Sequence, residues 1–252
     1  MEKIENQFYS GTSGLVLPFP KYRFPDEFKD RSRLAFYASL FNSIEINRSF
    51  YVMPSGQTLQ KWSREVPDDF KFTFKLWKEI THTKGGFLKS DVRKFIDAIN
   101  HVDDKKGCLL IQFPASMKGD QHDLLRSVLA AIKEADPDNQ WKPAIEFRDR
   151  SWYDESTYEL LQQFSTTIVI HDKSGVATSP HGVDSEFIYV RFHGPKGDYR
   201  GNYTDDFLHE YASYINEWRT DGKSVFAYFN NTIGDALNNL ITLNRMVRDL
   251  EN

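Results

Sequence analysis

The chain has 252 residues, 40% hydrophobic and 15% aromatic, enough for a large core, and its net charge of −4 argues against a surface that grips nucleic acid nonspecifically. A lone cysteine, Cys108, excludes an intrachain disulfide, and its neighbours Leu109, Leu110 and Ile111 mark it as a buried structural thiol. The opening MEKIENQFYS lacks the apolar core of a secretory signal, and no apolar run approaches the roughly 20 residues of a membrane span, so a cytoplasmic protein without a membrane partner is expected.

Taken in order, residues 7–12 form the first predicted strand, ending in Gly11, Thr12, Ser13 and Gly14, where glycines allow a sharp turn or close approach to a ligand. After a proline-rich loop, the spacing of Phe28, Leu34, Tyr37 and Leu40 predicts a helix over 26–40, followed by a short strand over 43–47. A helix over 57–66 precedes a strand over 70–77, in which Phe70, Phe72 and Phe74 alternate with Lys71, Thr73 and Lys75. Beyond the loop 78–89, Ser90 is the predicted N-cap of a helix over 91–102.

The run 108–113, apolar except for Gln112, reads as a strand buried on both faces. A helix over 121–135 leads to a strand over 143–148, where Ala144, Glu146 and Arg148 share the face opposite Ile145 and Phe147. Helix 154–164, strand 166–172 and strand 187–193 follow. Thr204 caps a helix over 205–219, strand 224–231 is last, and helix 235–250 closes the chain.

Eight strands mostly separated by helices imply parallel pairing through crossovers, and this count predicts a TIM-type (β/α)8 barrel. The exception is residues 173–186, a short, Gly-, Ser- and Pro-rich connection between strands 6 and 7 that does not look helical; an open doubly wound sheet is the alternative. No linker or composition shift divides the chain, so one domain over residues 1–252 is expected.

In such a barrel the active face lies at the C-terminal strand ends. Nearly every strand here carries a polar residue near that end: Glu45 and Asn47, Lys75, Gln112, Glu146 and Arg148, Asp172, Arg191 and His193, then Asn230 and Asn231. Glu45 and Glu146 are candidate acid and base, or neutralise Lys75 and Arg148; His193 is a candidate proton carrier. Arg148 and Arg191 suit a fork for phosphate, sulfate or carboxylate, and His82 a lid contact. Trp152 and Tyr51 are candidates for stacking on a base or sugar, against a packing role. An internal salt-bridge network is the competing account of the same charges.

The loop 194–203, GPKGDYRGNY, interleaves three glycines with Lys196, Tyr199, Arg200 and Tyr203, and with residues 230–234 occupies a frequent phosphate-binding position in barrels. Glu45, Glu146, Asp172 and His193 are hard-metal donors, but HxH, HExxH and cysteine pairs are absent and nearby Lys and Arg compete with a cation, so no metal is expected. GxSxG, GxGxxG and Walker A patterns are also absent, and the sequence leaves any cofactor unknown.

The pieces GTSG (11–14), FNSIEINRSFYVMPS (41–55), FKFTFKLWKEITH (70–82), LLIQFP (109–114), AIEFRDRSW (144–152), YVRFHG (189–194) and YFNN (228–231) resemble the YecE-like family, the domain of unknown function seventy-two. The resemblance spans nearly the whole chain, implies a TIM-type barrel and implies no reaction. One departure follows GTSG, where the family's usual Trp and Tyr are replaced by Leu15 and Val16.

The residues thus point to an enzyme, a hydrolase or lyase, acting on an anionic phosphate- or sugar-containing substrate. Lys75, Arg148 and Arg191 would hold the anion, Glu146 or Glu45 would act as base, and His193 would return the proton. The alternative is a non-catalytic protein that binds a small anion, a nucleotide or a nucleic-acid end, the last unsupported by the net charge.

Overall fold

The computed structural model describes residues 8–83, 85–181 and 185–251. Its strands are β1 Phe8–Thr12, β2 Ser43–Ile46, β3 Lys71–Lys75, β4 Lys106–Phe113, β5 Lys142–Phe147, β6 Thr167–Ile168, β7 Ile170–His171, β8 Phe187–Phe192 and β9 Ser224–Phe229. Between and after them run α1 Arg33–Leu40, α2 Gly56–Glu65, α3 Lys78–Thr81, α4 Lys89–Ile99, α5 His122–Ala135, α6 Glu155–Gln163, α7 Asp205–Thr220 and α8 Ala236–Asp249. The sheets have orders β1-β9-β8-β7 and β2-β3-β4-β5-β6. Among the described residues no helix is long and apolar enough to cross a membrane.

The residues group into two compact units, one ending at Glu45 and resuming at Val169, the other running from Ile46 to Ile168. In the first, β1 pairs with β9, β9 with β8 and β8 with β7, all parallel. Its core stacks Phe192 on Phe229 with ring centroids 4.5 Å apart. Gly11 has a strict steric role, since a Cβ there would lie 2.1 Å from the Ser43 carbonyl oxygen. The expected close approach at this glycine is therefore to backbone. Gln7, included in the first predicted strand, lies outside the described residues.

In the second unit β3, β4, β5 and β6 pair in parallel, with Gln112 of β4 beside Glu146 of β5. Every residue of β4 from Gly107 to Ile111 is buried, as its apolar run predicts. In β3 the charged face is not a solvent face: Thr73 is fully buried and Lys75 is only 9% exposed.

Three local expectations are corrected. The helix over 26–40 begins only at Arg33, because Ser32 accepts from the Ala35 amide and starts it there; Asp26–Phe28 is a separate 3-10 turn. The loop 78–89 contains the short helix α3, and α4 starts at Lys89, placing Ser90 inside the helix rather than at its cap. By contrast Thr204 caps α7 by accepting from the Phe207 amide.

The sixth predicted strand is split into β6 and β7 around Val169. No helix follows β7 among the described residues before β8, matching the expected non-helical connection. Instead the chain folds back through Thr178. Its hydroxyl accepts from the His171 amide at 2.7 Å and donates to the Val169 carbonyl at 3.0 Å, while its amide donates to the His171 carbonyl at 2.9 Å.

Candidate functional site

In the second unit the polar strand ends form a cluster around Phe50. Residues Asn47–Phe50 make a 3-10 turn that directs Phe50 inward, and the Ser49 hydroxyl donates to the Lys75 carbonyl at 2.7 Å, tying the turn to the end of β3. The Lys75 ammonium lies 4.0 Å from the Phe50 ring centroid, a cation–π contact, and donates to Gln112 Oε1 at 2.7 Å. Asn47 opens the turn and is half-buried.

His82 follows α3, whose Ile80 and Thr81 are buried and anchor it. The His82 ring meets Phe50 edge to face at 4.8 Å, its Nδ1 is 2.8 Å from the Thr81 hydroxyl, and its Nε2 is 3.5 Å from Gln112 Nε2. Burial, followed by the charges of Lys75, Arg148 and Lys78, pulls its pKa down to about 4. At neutral pH His82 is therefore an uncharged imidazole in a positive field. Arg148, just past β5, forms an ion pair with the fully buried Glu146. Glu146 thus neutralises its own strand neighbour, one of the two roles weighed for it.

Trp152 requires a correction. It is fully buried, stacked on Phe147 with centroids 4.7 Å apart and edge-on to Phe113 and His122, and its indole N–H donates to the Met117 carbonyl. That enclosure makes it a packing residue rather than a platform for a base or sugar.

In the first unit Glu45 is the hub. Its carboxylate accepts from Ser13 Oγ at 2.5 Å, from the Tyr189 hydroxyl, and from Arg191 through Nε at 3.0 Å and Nη2 at 2.8 Å. Burial would raise its pKa, but the Arg191 charge and the Arg191, Ser13 and Tyr189 hydrogen bonds outweigh burial and hold it below the ordinary value. With Arg191 only 2% exposed, the pair is a structural ion pair, which corrects the expectation that Arg191 forms an anion fork with Arg148. Four donors stabilise the ionised form of Glu45, which weighs against it as a general acid and fits the neutralising role weighed for it.

The remaining polar residues of this unit hold loops. Asp172 accepts from the His193 amide at 2.6 Å and from the Tyr203 hydroxyl, which itself accepts from the Gly194 amide at 2.5 Å. Gly194 adopts φ 101°, and a Cβ there would lie 2.2 Å from the Arg200 carbonyl oxygen, so the loop 194–203 closes on itself. Lys196 and Arg200 are exposed, whereas the Lys173 ammonium lies 4.3 Å over the Tyr199 ring. Asn231 is fully buried and donates to the Gly201 carbonyl and Asn239 Oδ1, both at 3.0 Å, which corrects its placement as a ligand contact.

His193 is also fully buried, with Nδ1 3.1 Å from Asn230 Nδ2 and its ring edge-on to Tyr199. Among the described residues no three of His, Cys, Asp and Glu gather as a metal-ligand set. Phe50, Thr81, Ser13 and Tyr189 are site residues that the sequence pattern alone did not single out. Tyr189 carried a signal, since it alternates onto the same face as Arg191.

The parallel strand–helix succession and the polar strand ends define an α/β protein of the TIM-type barrel class. The family model described as "Protein of unknown function DUF72" matches residues 10–252, and the chain belongs to that family. It is 27% identical to the UPF0759 protein YunF of Bacillus subtilis (strain 168), with 86% of each chain covered. A crystal structure of a DUF72 family protein from Thermotoga maritima MSB8 superposes with a TM-score of 0.74 at 26% identity, covering 97% of this chain and 99% of that one. Another, from Enterococcus faecalis V583, gives 0.78 at 19% identity over 96% and 95%. These likenesses establish family and fold, and carry no substrate.

Proposed function

We propose that the protein is an enzyme acting on an anionic, phosphate- or sugar-containing substrate at the strand ends of the second unit. Lys75 and Arg148 hold the anion, Gln112 steers the Lys75 ammonium, and Glu146 orients Arg148. The neutral His82 takes a proton from the attacking group as general base, a role for which the buried His193 is less suited. The observation that carries this reading is the gathering of Lys75 and His82 on the Phe50 ring, with the ammonium 4.0 Å and the imidazole centroid 4.8 Å from its centre and Gln112 bonded to Lys75.

The test is turnover on a panel of phosphoesters and glycosides together with calorimetric binding of sulfate. His82→Asn is expected to abolish turnover while sulfate still binds. Native protein that binds no sulfate would overturn the reading. A non-catalytic anion-binding protein is the second reading, favoured by the engagement of both Glu45 and Glu146 with arginines. It predicts sulfate binding with no turnover on any member of the panel.

A further inference from the structure

The 3-10 turn Asn47–Phe50 sends two consecutive aromatic rings in opposite senses. Phe50 is 8% exposed, whereas Tyr51 is 65% exposed. The turn fixes this arrangement, because the Tyr51 and Val52 amides donate to the Arg48 carbonyl at 3.0 and 3.1 Å. The two rings are perpendicular, with centroids 4.9 Å apart. Phe50 is therefore a shared wall, carrying Lys75 on its face at 4.0 Å, His82 against it at 4.8 Å, and Tyr51 at its edge.

A single exposed tyrosine is ordinary on a protein surface. This one packs edge-on against Phe50, whose ring also carries the Lys75 ammonium, and the next residue, Val52, is 53% exposed. An anion held by Lys75 and Arg148 would present a ring attached to it towards the side of Phe50 on which Tyr51 stands. Tyrosine stacks both on planar bases and on the C–H faces of sugars while its hydroxyl stays wet.

We propose that Tyr51 is the specificity-determining platform of the site, and that the ligand is a phosphorylated ring compound, a sugar phosphate or a nucleotide. This rests on the anion site proposed above. The experiment compares sulfate, glucose 6-phosphate and AMP by calorimetry on native protein, Tyr51→Ala and Tyr51→Phe. At least one ring compound should bind native protein about tenfold or more tightly than sulfate. Tyr51→Ala should erase that advantage and leave sulfate affinity unchanged, while Tyr51→Phe should retain it. Loss for AMP alone identifies a base, and loss for glucose 6-phosphate alone identifies a sugar. If sulfate binds but neither ring compound binds more tightly, or if Tyr51→Ala leaves the advantage intact, the platform is refuted and the anion site stands. If native protein binds no sulfate, the anion site itself fails.

Discussion

Arg191 grips both carboxylate oxygens of Glu45, with Nε 3.0 Å from Oε2 and Nη2 2.8 Å from Oε1, and neither side chain is more than 2% exposed. Two residues 146 positions apart thereby join the ends of β2 and β8. Burying such charges is costly, so the pair persists only while each partner satisfies the other.

Glu45→Gln keeps the shape and removes the charge, leaving Arg191 buried without its counter-ion. The expected loss is about 3–5 kcal/mol of unfolding free energy in urea denaturation. A loss below about 1 kcal/mol would show that the pair does not hold the fold.

The same residue sets an acid limb. Its carboxyl titrates below the ordinary 4.5 in the folded state, so the unfolded chain takes up the proton first. Its contribution is complete above 4.5 and is lost as pH falls through the lower folded value. Glu45→Gln should flatten that part of the stability–pH curve, and an unchanged slope would contradict the assignment.

His82 should titrate at about 4 by NMR, against 6.5 for an ordinary histidine. Here too the unfolded chain protonates first, so the fold loses stability as pH drops from 6.5 to about 4 and no further on this account. Lys75→Met removes the largest of the three flanking charges and should move the titration upward. Failure to move would mean that Lys75 does not set it and that burial and the remaining charges do.

Lys75→Met should also weaken sulfate binding about tenfold or more, the effect of losing one charge-assisted hydrogen bond. Calorimetry showing undiminished affinity would remove Lys75 from the anion site.

Tyr203→Phe deletes the hydroxyl that donates to Asp172 and accepts from the Gly194 amide. The expected cost is about 1–3 kcal/mol, with faster tryptic cleavage at the exposed Arg200. Unaltered cleavage would show that the loop 194–203 is held elsewhere.

Much of the fold was legible because strand chemistry is local. The unbroken apolar run at Cys108–Ile111 and the alternation through Ala144, Glu146 and Arg148 disclose strands buried on both faces. The onset of α1 was not legible, because the apolar spacing of Phe28, Leu34 and Tyr37 extends past the Ser32 cap that starts the helix. The charged residues could be found but not matched. Glu45 meets Arg191 rather than Lys75 because tertiary register, invisible in a single sequence, decides which strand ends adjoin. His82 was visible as a loop histidine, whereas its lowered pKa depends first on burial and then on Lys75, Arg148 and Lys78, which are brought together only by the fold.

Thr178 gives the region after β7 an unusual economy. After β7 one β-hydroxyl bonded to both His171 and Val169 joins the returning segment to the strand. The His171 amide donates to a side-chain oxygen, so its hydrogen exchange reports on the Thr178 hydroxyl. Thr178→Val removes that oxygen at nearly constant volume and would loosen the return onto β7, one of the two shortest strands.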